Sequence, residues 1–250
     1  MLFALTVAGL AWLATQLGQW QFDRLDSRRA ENELVSRNLD RPIAPIDSVM
    51  EVGSGPSPDD EWRRVVAHGT WDDAATIVLK YQTRDGAAGV DIVTPLRTAD
   101  GAAVLVDRGW LATDNVGGTR PDLPAASTGQ ITVVGWVRRD ATGRATRVSE
   151  RATRAISSEA IAEVLSYPLY DGFLDLDTET PPPSVQLGDA ELPDDDSEGP
   201  HFFYGLQWWF FGALAIFGFG YLAYDEWRRS RPSERTEHAT VDRKHGAGHE

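Results

Sequence analysis

The chain has 250 residues, and its 24 Lys and Arg stand against 38 Asp and Glu, a formal charge of −14. It holds no cysteine, which excludes disulfides, thiolate metal sites, cysteine nucleophiles and iron–sulfur clusters. So acidic a chain also lacks the basic face that nucleic acid requires.

Residues 2–17 carry no charge, and the first charged side chain is Asp23. Counting on through Gly18, Trp20 and Phe22 reaches the roughly 20 apolar residues that span a bilayer. A cleaved signal peptide is the alternative, but it would open on basic residues and end at a small-x-small site. No Lys or Arg precedes Arg24, and Trp20 is an interfacial anchor type. Residues 1–21 are therefore read as an uncleaved transmembrane helix. Gln21 to Asn38 continues it outward, with Phe22, Leu25, Leu34 and Val35 as a loose apolar face, until Arg41-Pro42 ends it.

Residues 22–200 form the middle domain, and residues 23–200 hold 18 of the basic and 32 of the acidic residues, so the whole excess of acid lies there. Five β-type runs follow the loop at Gly53–Pro58: Trp62–Trp71, Thr76–Gln82, Gly89–Leu96, Ala103–Leu111 and Ile131–Val137. They are broken at Asp85-Gly86, Asp100-Gly101 and Gly117-Gly118. Asp100-Gly101 predicts a tight type I′ hairpin, with positive φ at both central residues. Ser157 or Ser158 caps a short helix through Leu165. Residues 178–200, with three consecutive prolines and Asp194-Asp195-Asp196, read as a flexible acidic connector.

From Phe202 to Ala223 no residue is charged. Trp208 and Trp209 stand near the start of this run and Tyr221, Tyr224 and Trp227 near its end, as paired aromatic belts do. Residues 201–224 are the second transmembrane helix, opened by Gly199-Pro200, and 225–250 a tail. Arg228, Arg229 and Arg231 place that tail in the cytoplasm. Both termini are then cytoplasmic and the middle domain extracytoplasmic, although Arg24, Arg28 and Arg29 on the outer side run against the rule. The fold class is thus an α+β membrane protein, two transmembrane helices flanking an antiparallel, barrel-like β domain with one short helix.

Catalytic sets are missing. His68 is alone on a β run, no glycine-rich phosphate loop follows a strand, and neither H-E-x-x-H nor G-x-S-x-G occurs; an enzyme is not expected. His201 differs, standing at the mouth of the second helix. On a helix, positions 201, 204, 205, 208 and 212 share a face, so His201, Tyr204 and Trp208 flank Gly205 and Gly212, which leave room for a flat ring or a second helix. An imidazole there can ligate haem iron axially, or lie in the headgroup layer with no ligand.

Four stretches carry a family resemblance. Leu17-Gly-Gln-Trp-Gln-Phe-Asp-Arg-Leu25 resembles the L-G-x-W-Q-x-x-R signature of the Surfeit-locus-one family, and Arg63-Arg-Val-Val-Ala-His-Gly-Thr-Trp71 its first β segment. Thr94-Pro-Leu96 with Asp100-Gly-Ala-Ala-Val-Leu-Val-Asp-Arg-Gly-Trp110, and then His201-Phe-Phe-Tyr-Gly-Leu-Gln-Trp208, are similar to its T-P-L, D-G-x-x-x-L-V-x-R-G-W and H-x-x-Y-A-x-Q-W motifs, in the same order. Gly205 stands where the family usually has alanine. The resemblance implies a two-span protein of cytochrome c oxidase biogenesis. It implies haem a as the cofactor, with oxidase subunit I, haem-synthesis enzymes and the lipid bilayer as partners. On that reading His201 is the ligand of the haem iron, Tyr204 and Trp208 wall the ring, and Trp20 and Gln21 close the site from helix one. Arg63, Arg64 or Arg108 would pair with propionates. The alternative is a scaffold that stabilises an oxidase assembly intermediate without touching haem. Lastly, Lys80 and Lys244 are the only lysines, and such an acidic surface predicts a high-salt habitat, where its self-repulsion is screened.

Overall fold

Helix α1 runs without a break from Leu2 to Leu39, as the uncharged stretch and its outward continuation predict. The computed structural model describes residues 1–113, 120–193 and 199–231; Gly117-Gly118, Asp194-Asp195-Asp196 and the tail beyond Arg231 lie outside the described residues. By its internal contacts the chain divides into two units, residues 28–197 and the two terminal segments on either side of them.

Within the unit of residues 28–197, the last turn of α1 is fixed by Asn38. Its side chain is fully buried, its Nδ2 donates to the carbonyls of Asp59 (2.7 Å) and Glu61 (2.9 Å), and its Oδ1 accepts from Arg41 Nη1 (3.2 Å). All three bonds vanish in Asn38→Ala, which leaves two carbonyls without this donor. A loss of about 2–3 kcal/mol is expected, read as a lower denaturant midpoint for the full chain in detergent.

Among the described residues eight strands make one sheet: β1 (Ala44–Pro45), β2 (Arg64–Trp71), β3 (Ile77–Arg84), β4 (Ala87–Arg97), β5 (Ala103–Ala112), β6 (Ile131–Arg138), β7 (Ala152–Thr153) and β8 (Leu169–Thr180). Their order is β1-β2-β6-β8-β5-β4-β3-β7, and β2 also pairs with β4 at Thr70↔Arg97 and Trp71↔Leu96. The pairings of β2, β6, β8, β5 and β4 therefore run in a closed circuit. Five of these strands are those the alternating runs predict, within two residues at each end. The sheet is mixed, not antiparallel as expected from the sequence: β1/β2, β3/β7 and β5/β8 pair in parallel. Residues 139–168, which carry helix α2 (Ser158–Ala162), lead from β6 to its antiparallel neighbour β8, and the parallel pair β5/β8 is joined by the longer path that passes through β6. Ser157 caps α2, its hydroxyl accepting from Ala160 N–H.

Strand β8 falls partly on the stretch read as a flexible connector, since Thr178, Glu179 and Thr180 belong to it. Farther along, Gly188 bridges Trp110, and Arg84 donates to the carbonyls of Gly188 and Asp189. The acidic residues of β8 suggest solvent, but each is met by a donor. Gly53 N–H donates to Asp171 (3.3 Å), Arg138 holds Asp175, Arg64 holds Asp177, and Trp71 Nε1 donates to Glu179. The two Asp-Gly turns also differ from expectation. Both Asp85 (φ 51°) and Gly86 (φ 78°) are left-handed, so the I′ hairpin joins β3 to β4. At β4–β5 only Gly101 has positive φ, and its N–H donates to Thr98 C=O at 3.2 Å. That is the geometry of a type I turn followed by a glycine bulge.

Two apolar cores lie on the two faces of β5. Val104 and Val106 join Val65, Leu96, Val133, Val137 and Leu174 in one, while Ala103 and Leu105 join Ile77, Val93, Ile156, Ile161 and Phe173 in the other. Ile161 of α2 is fully buried there. A strand covered on both faces reads as an unbroken apolar run, which is why Ala103-Val-Leu-Val has no alternation.

Candidate functional site

The second unit holds α1 up to Ser27 and helix α3 (His201–Ser230). Both helices are long and apolar enough to cross a membrane. They pack antiparallel. Phe3 meets Phe219 near one end (5.8 Å between ring centres), Ala14 meets Gly212 midway, and Phe22 meets Phe202 at the other end (6.3 Å).

The seam follows a heptad rhythm, Phe202, Gly205, Trp209 and Gly212 on α3 against Ala11, Ala14, Gly18 and Phe22 on α1. Spacings of three and four residues are those that seat one helix in the grooves of another. Glycine is required where rings approach. A Cβ on Gly18 would lie 2.2 Å from Trp209 Cδ1, and one on Gly205 2.9 Å from the Phe22 ring. Of the two occupants expected at Gly205 and Gly212, a flat ring or a second helix, it is the second helix that fills the groove: α1 lies there, with the Phe22 ring tilted 4.9 Å from that of Trp209.

His201 sits one step round from this seam, at the first turn of α3. Its Nδ1 is 2.8 Å from Gln21 Oε1. An amide oxygen only accepts, so Nδ1 carries the proton and donates, and in the neutral ring Nε2 keeps its lone pair. Among the described residues Nε2 has no hydrogen-bond partner. Gly199 adjoins that edge of the ring in a left-handed conformation (φ 67°), and a Cβ there would stand 3.5 Å from Nε2. The donor set therefore fits an axial haem ligand: an unprotonated nitrogen, oriented through its second nitrogen, with no side chain crowding it from residue 199.

Of the residues singled out from the sequence, the fold brings His201 and Gln21 into contact. Trp208 is half-buried and packs edge-on against Phe211 at 6.0 Å, Tyr204 is 48% exposed and Trp20 57% exposed. Among the described residues none of the three makes a ring contact with His201. The three arginines considered for propionates are committed inside the sheet unit. Arg63 pairs with Asp60 (3.3 Å), Arg64 pairs with Asp177, and the Arg108 side chain is 2% exposed beside Asp73 and the Trp71 ring. Sequence reasoning missed Phe22, Phe202 and Trp209. Their signal was present as the 3-4 spacing around Gly205 and Gly212, one position out of phase with the face traced through His201.

A second polar cluster lies wholly in the sheet unit. Asp91, Asp107 and Asp175, on β4, β5 and β8, line a cleft of about 370 Å³ together with Arg84, Arg138 and Glu191. Arg84 holds Asp91 (3.0 Å) and Arg138 holds Asp175 (2.6 Å), while Asp107 accepts from Gly109 N–H. Burial pushes Asp91 up to about 6, against the pull of Arg84, with Asp175 and Glu191 adding to the rise. Burial also raises Asp107, reinforced by Asp91 and Asp175, and raises Asp175 against Arg138. Among the described residues no three His, Asp or Glu side chains converge closely enough to hold a metal ion.

Comparison with known proteins supplies the remaining findings. The sequence model of the SURF1 family matches residues 8–213. An uncharacterized SURF1-like protein of Mycobacterium tuberculosis (strain ATCC 25618 / H37Rv) is 28% identical over 234 residues, covering 91% of this chain and 84% of the relative. A second, from Mycobacterium bovis, matches to the same extent. A SURF1-like protein of Dictyostelium discoideum is 33% identical over 108 residues, 40% of this chain and 39% of that one.

Proposed function

Because the chain belongs to the SURF1 family, whose members are known generally as cytochrome oxidase assembly factors, we propose that it is a membrane-bound, non-enzymatic assembly factor. Its cargo is haem a, bound at His201 and passed toward subunit I of a haem-copper oxidase after receipt from haem-synthesis enzymes. The observation that carries this reading is the His201–Gln21 contact, in which Nδ1 is engaged while Nε2 has no hydrogen-bond partner among the described residues. Most of the apolar length of α1 and α3 stands exposed, a surface that water tolerates poorly and lipid covers. Arg228 and Arg229 in the last turn of α3, with Arg231 just beyond it, favour cytoplasmic termini and a sheet on the outer side.

Haem contributes the iron that the recipient enzyme needs, and the residues here hold and release it. One imidazole gives a single protein ligand, so transfer breaks one bond to the chain. Tyr204 and Trp208, on the same face of α3 as His201, offer ring surfaces for the macrocycle, and Gln21 orients the ligand.

The scaffold reading also has an observation in its favour. Gly218 and Gly220 on α3 have open space where a side chain would stand, as a partner helix would require. Purification in detergent from haem-replete cells separates the two. The wild-type protein is expected to carry a haem spectrum, and His201→Ala to lose it while eluting at the same position on size exclusion. An unchanged spectrum in His201→Ala excludes ligation by this residue, and a colourless wild type leaves the scaffold.

A further inference from the structure

Which imidazole nitrogen faces the ligand is decided by the other nitrogen's partner, and at His201 that partner is a neutral amide. We infer that Gln21 is a positioning residue: by accepting a hydrogen bond from Nδ1–H it fixes the His201 tautomer that presents Nε2 as donor, and by being an amide instead of a carboxylate it leaves that donor a weaker ligand than a carboxylate partner would make it. The inference deepens the haem-carrier reading and rests on it for the identity of the ligand, but the tautomer itself does not depend on haem.

Three observations converge. Nδ1 and Gln21 Oε1 are 2.8 Å apart. Gly18 and Phe22, which flank Gln21 on α1, are locked against Trp209 and Phe202 of α3, so the amide is held in reach of the ring by the packing of its own helix. At the opposite edge of the ring, Gly199 keeps a Cβ from standing 3.5 Å from Nε2. Packing thus brings one nitrogen to an acceptor and leaves the other accessible. With the proton already on Nδ1, His201 would offer its Nε2 lone pair to haem iron without losing a proton.

The amide has a second consequence. Carboxylate partners draw the proton away and make the opposite nitrogen a stronger donor, which suits resident metals. A neutral amide orients the ring without that push, so the iron–nitrogen bond stays weak enough to be given up.

The test uses the full chain in detergent micelles, labelled with ¹⁵N-histidine, with His201→Ala assigning the resonance among the five histidines. Without haem, the wild type is expected to show Nδ1 protonated and Nε2 bare, and Gln21→Glu to keep that pattern. Gln21→Leu should shift the population toward the Nε2-protonated form. Titration with hemin is expected to give affinity about 10- to 100-fold weaker for Gln21→Leu, and slower release than wild type for Gln21→Glu. An Nε2-protonated wild type, or a tautomer indifferent to Gln21→Leu, overturns the assignment. Failure of wild type to bind hemin overturns the carrier reading instead, and the nitrogen spectra still decide the role of Gln21.

Discussion

Gly69→Ala is expected to destabilise the sheet unit by about 3 kcal/mol or more, lowering the thermal midpoint of the full chain by roughly 6–12 °C. Gly69 is buried on β2 just before the residues that pair with β4. A Cβ there would stand 2.2 Å from the carbonyl oxygen of Arg97 and 2.9 Å from its carbon, with Leu96 Cγ at 3.0 Å. The two nearest are backbone atoms of the partner strand, so no rotamer change relieves the contact. β2 must move away, and with it go Thr70↔Arg97, Trp71↔Leu96 and the bond from Trp71 Nε1 to Glu179. A domain of ordinary stability, about 5–15 kcal/mol, loses a large share of its margin. Scanning calorimetry or tryptophan fluorescence checks it; a midpoint within a degree or two of wild type would contradict the closure of the strand circuit at this point.

The carboxylate cleft is expected to make the folded chain more stable at pH 5 than at pH 7.5. Asp91 is raised from 3.8 to about 6, chiefly by burial, and Asp107 and Asp175 are raised by the same cause. Between about pH 4 and 6 the folded chain therefore holds protons that the unfolded chain has released. Stability then falls as pH rises through that window. The full penalty is felt above the folded value, where Arg84 and Arg138 face three carboxylates and Glu191. Asp100 acts in the opposite sense. The Thr98 hydroxyl holds it below its ordinary range, so its contribution is lost only on acidification below about pH 4. Asp107→Asn keeps an acceptor for Gly109 N–H and removes one charge. A higher urea midpoint than wild type is expected at pH 7.5, with little change at pH 5, because the charge that burial disfavours is gone. Parallel pH profiles for the variant and the wild type would contradict it.

Much of this fold is written in local patterns. The alternation in Arg64–Trp71 and Ile131–Arg138 marks strands with one face buried, Arg41-Pro42 ends α1, and Ser157 caps α2. Long-range pairing is not local, and there the reading stopped. β8 carries Asp171, Asp175, Asp177 and Glu179, which suggest a solvated loop until Arg138, Arg64 and Trp71 are brought beside three of them by the chain's return. Asp107 stands in an apolar run, and nothing in its neighbours announces Asp91 and Asp175 across the sheet. At the candidate site the sequence pointed to His201 and Gln21, but not to their bond, because residues 180 apart have no shared period. It marked Gly205 and Gly212 as a place of close approach for a flat ring or a second helix, and only the fold says that α1, through Phe22 and Ala14, is the one that comes there.

The acids of β8 also govern how that strand can assemble. Side chains alternate across a sheet, so sliding β8 by one residue against β6 would send Asp175 and Asp177 to the opposite face and bring Leu174 and Leu176 out of their core. Arg138 and Arg64 would lose their carboxylates, and Trp71 its acceptor, in the same step. A purely aliphatic strand of this length would pay only in packing for such an error. Here the negative charge works inside the protein as a key to alignment, one that disfavours a misregistered pairing of β6 with β8.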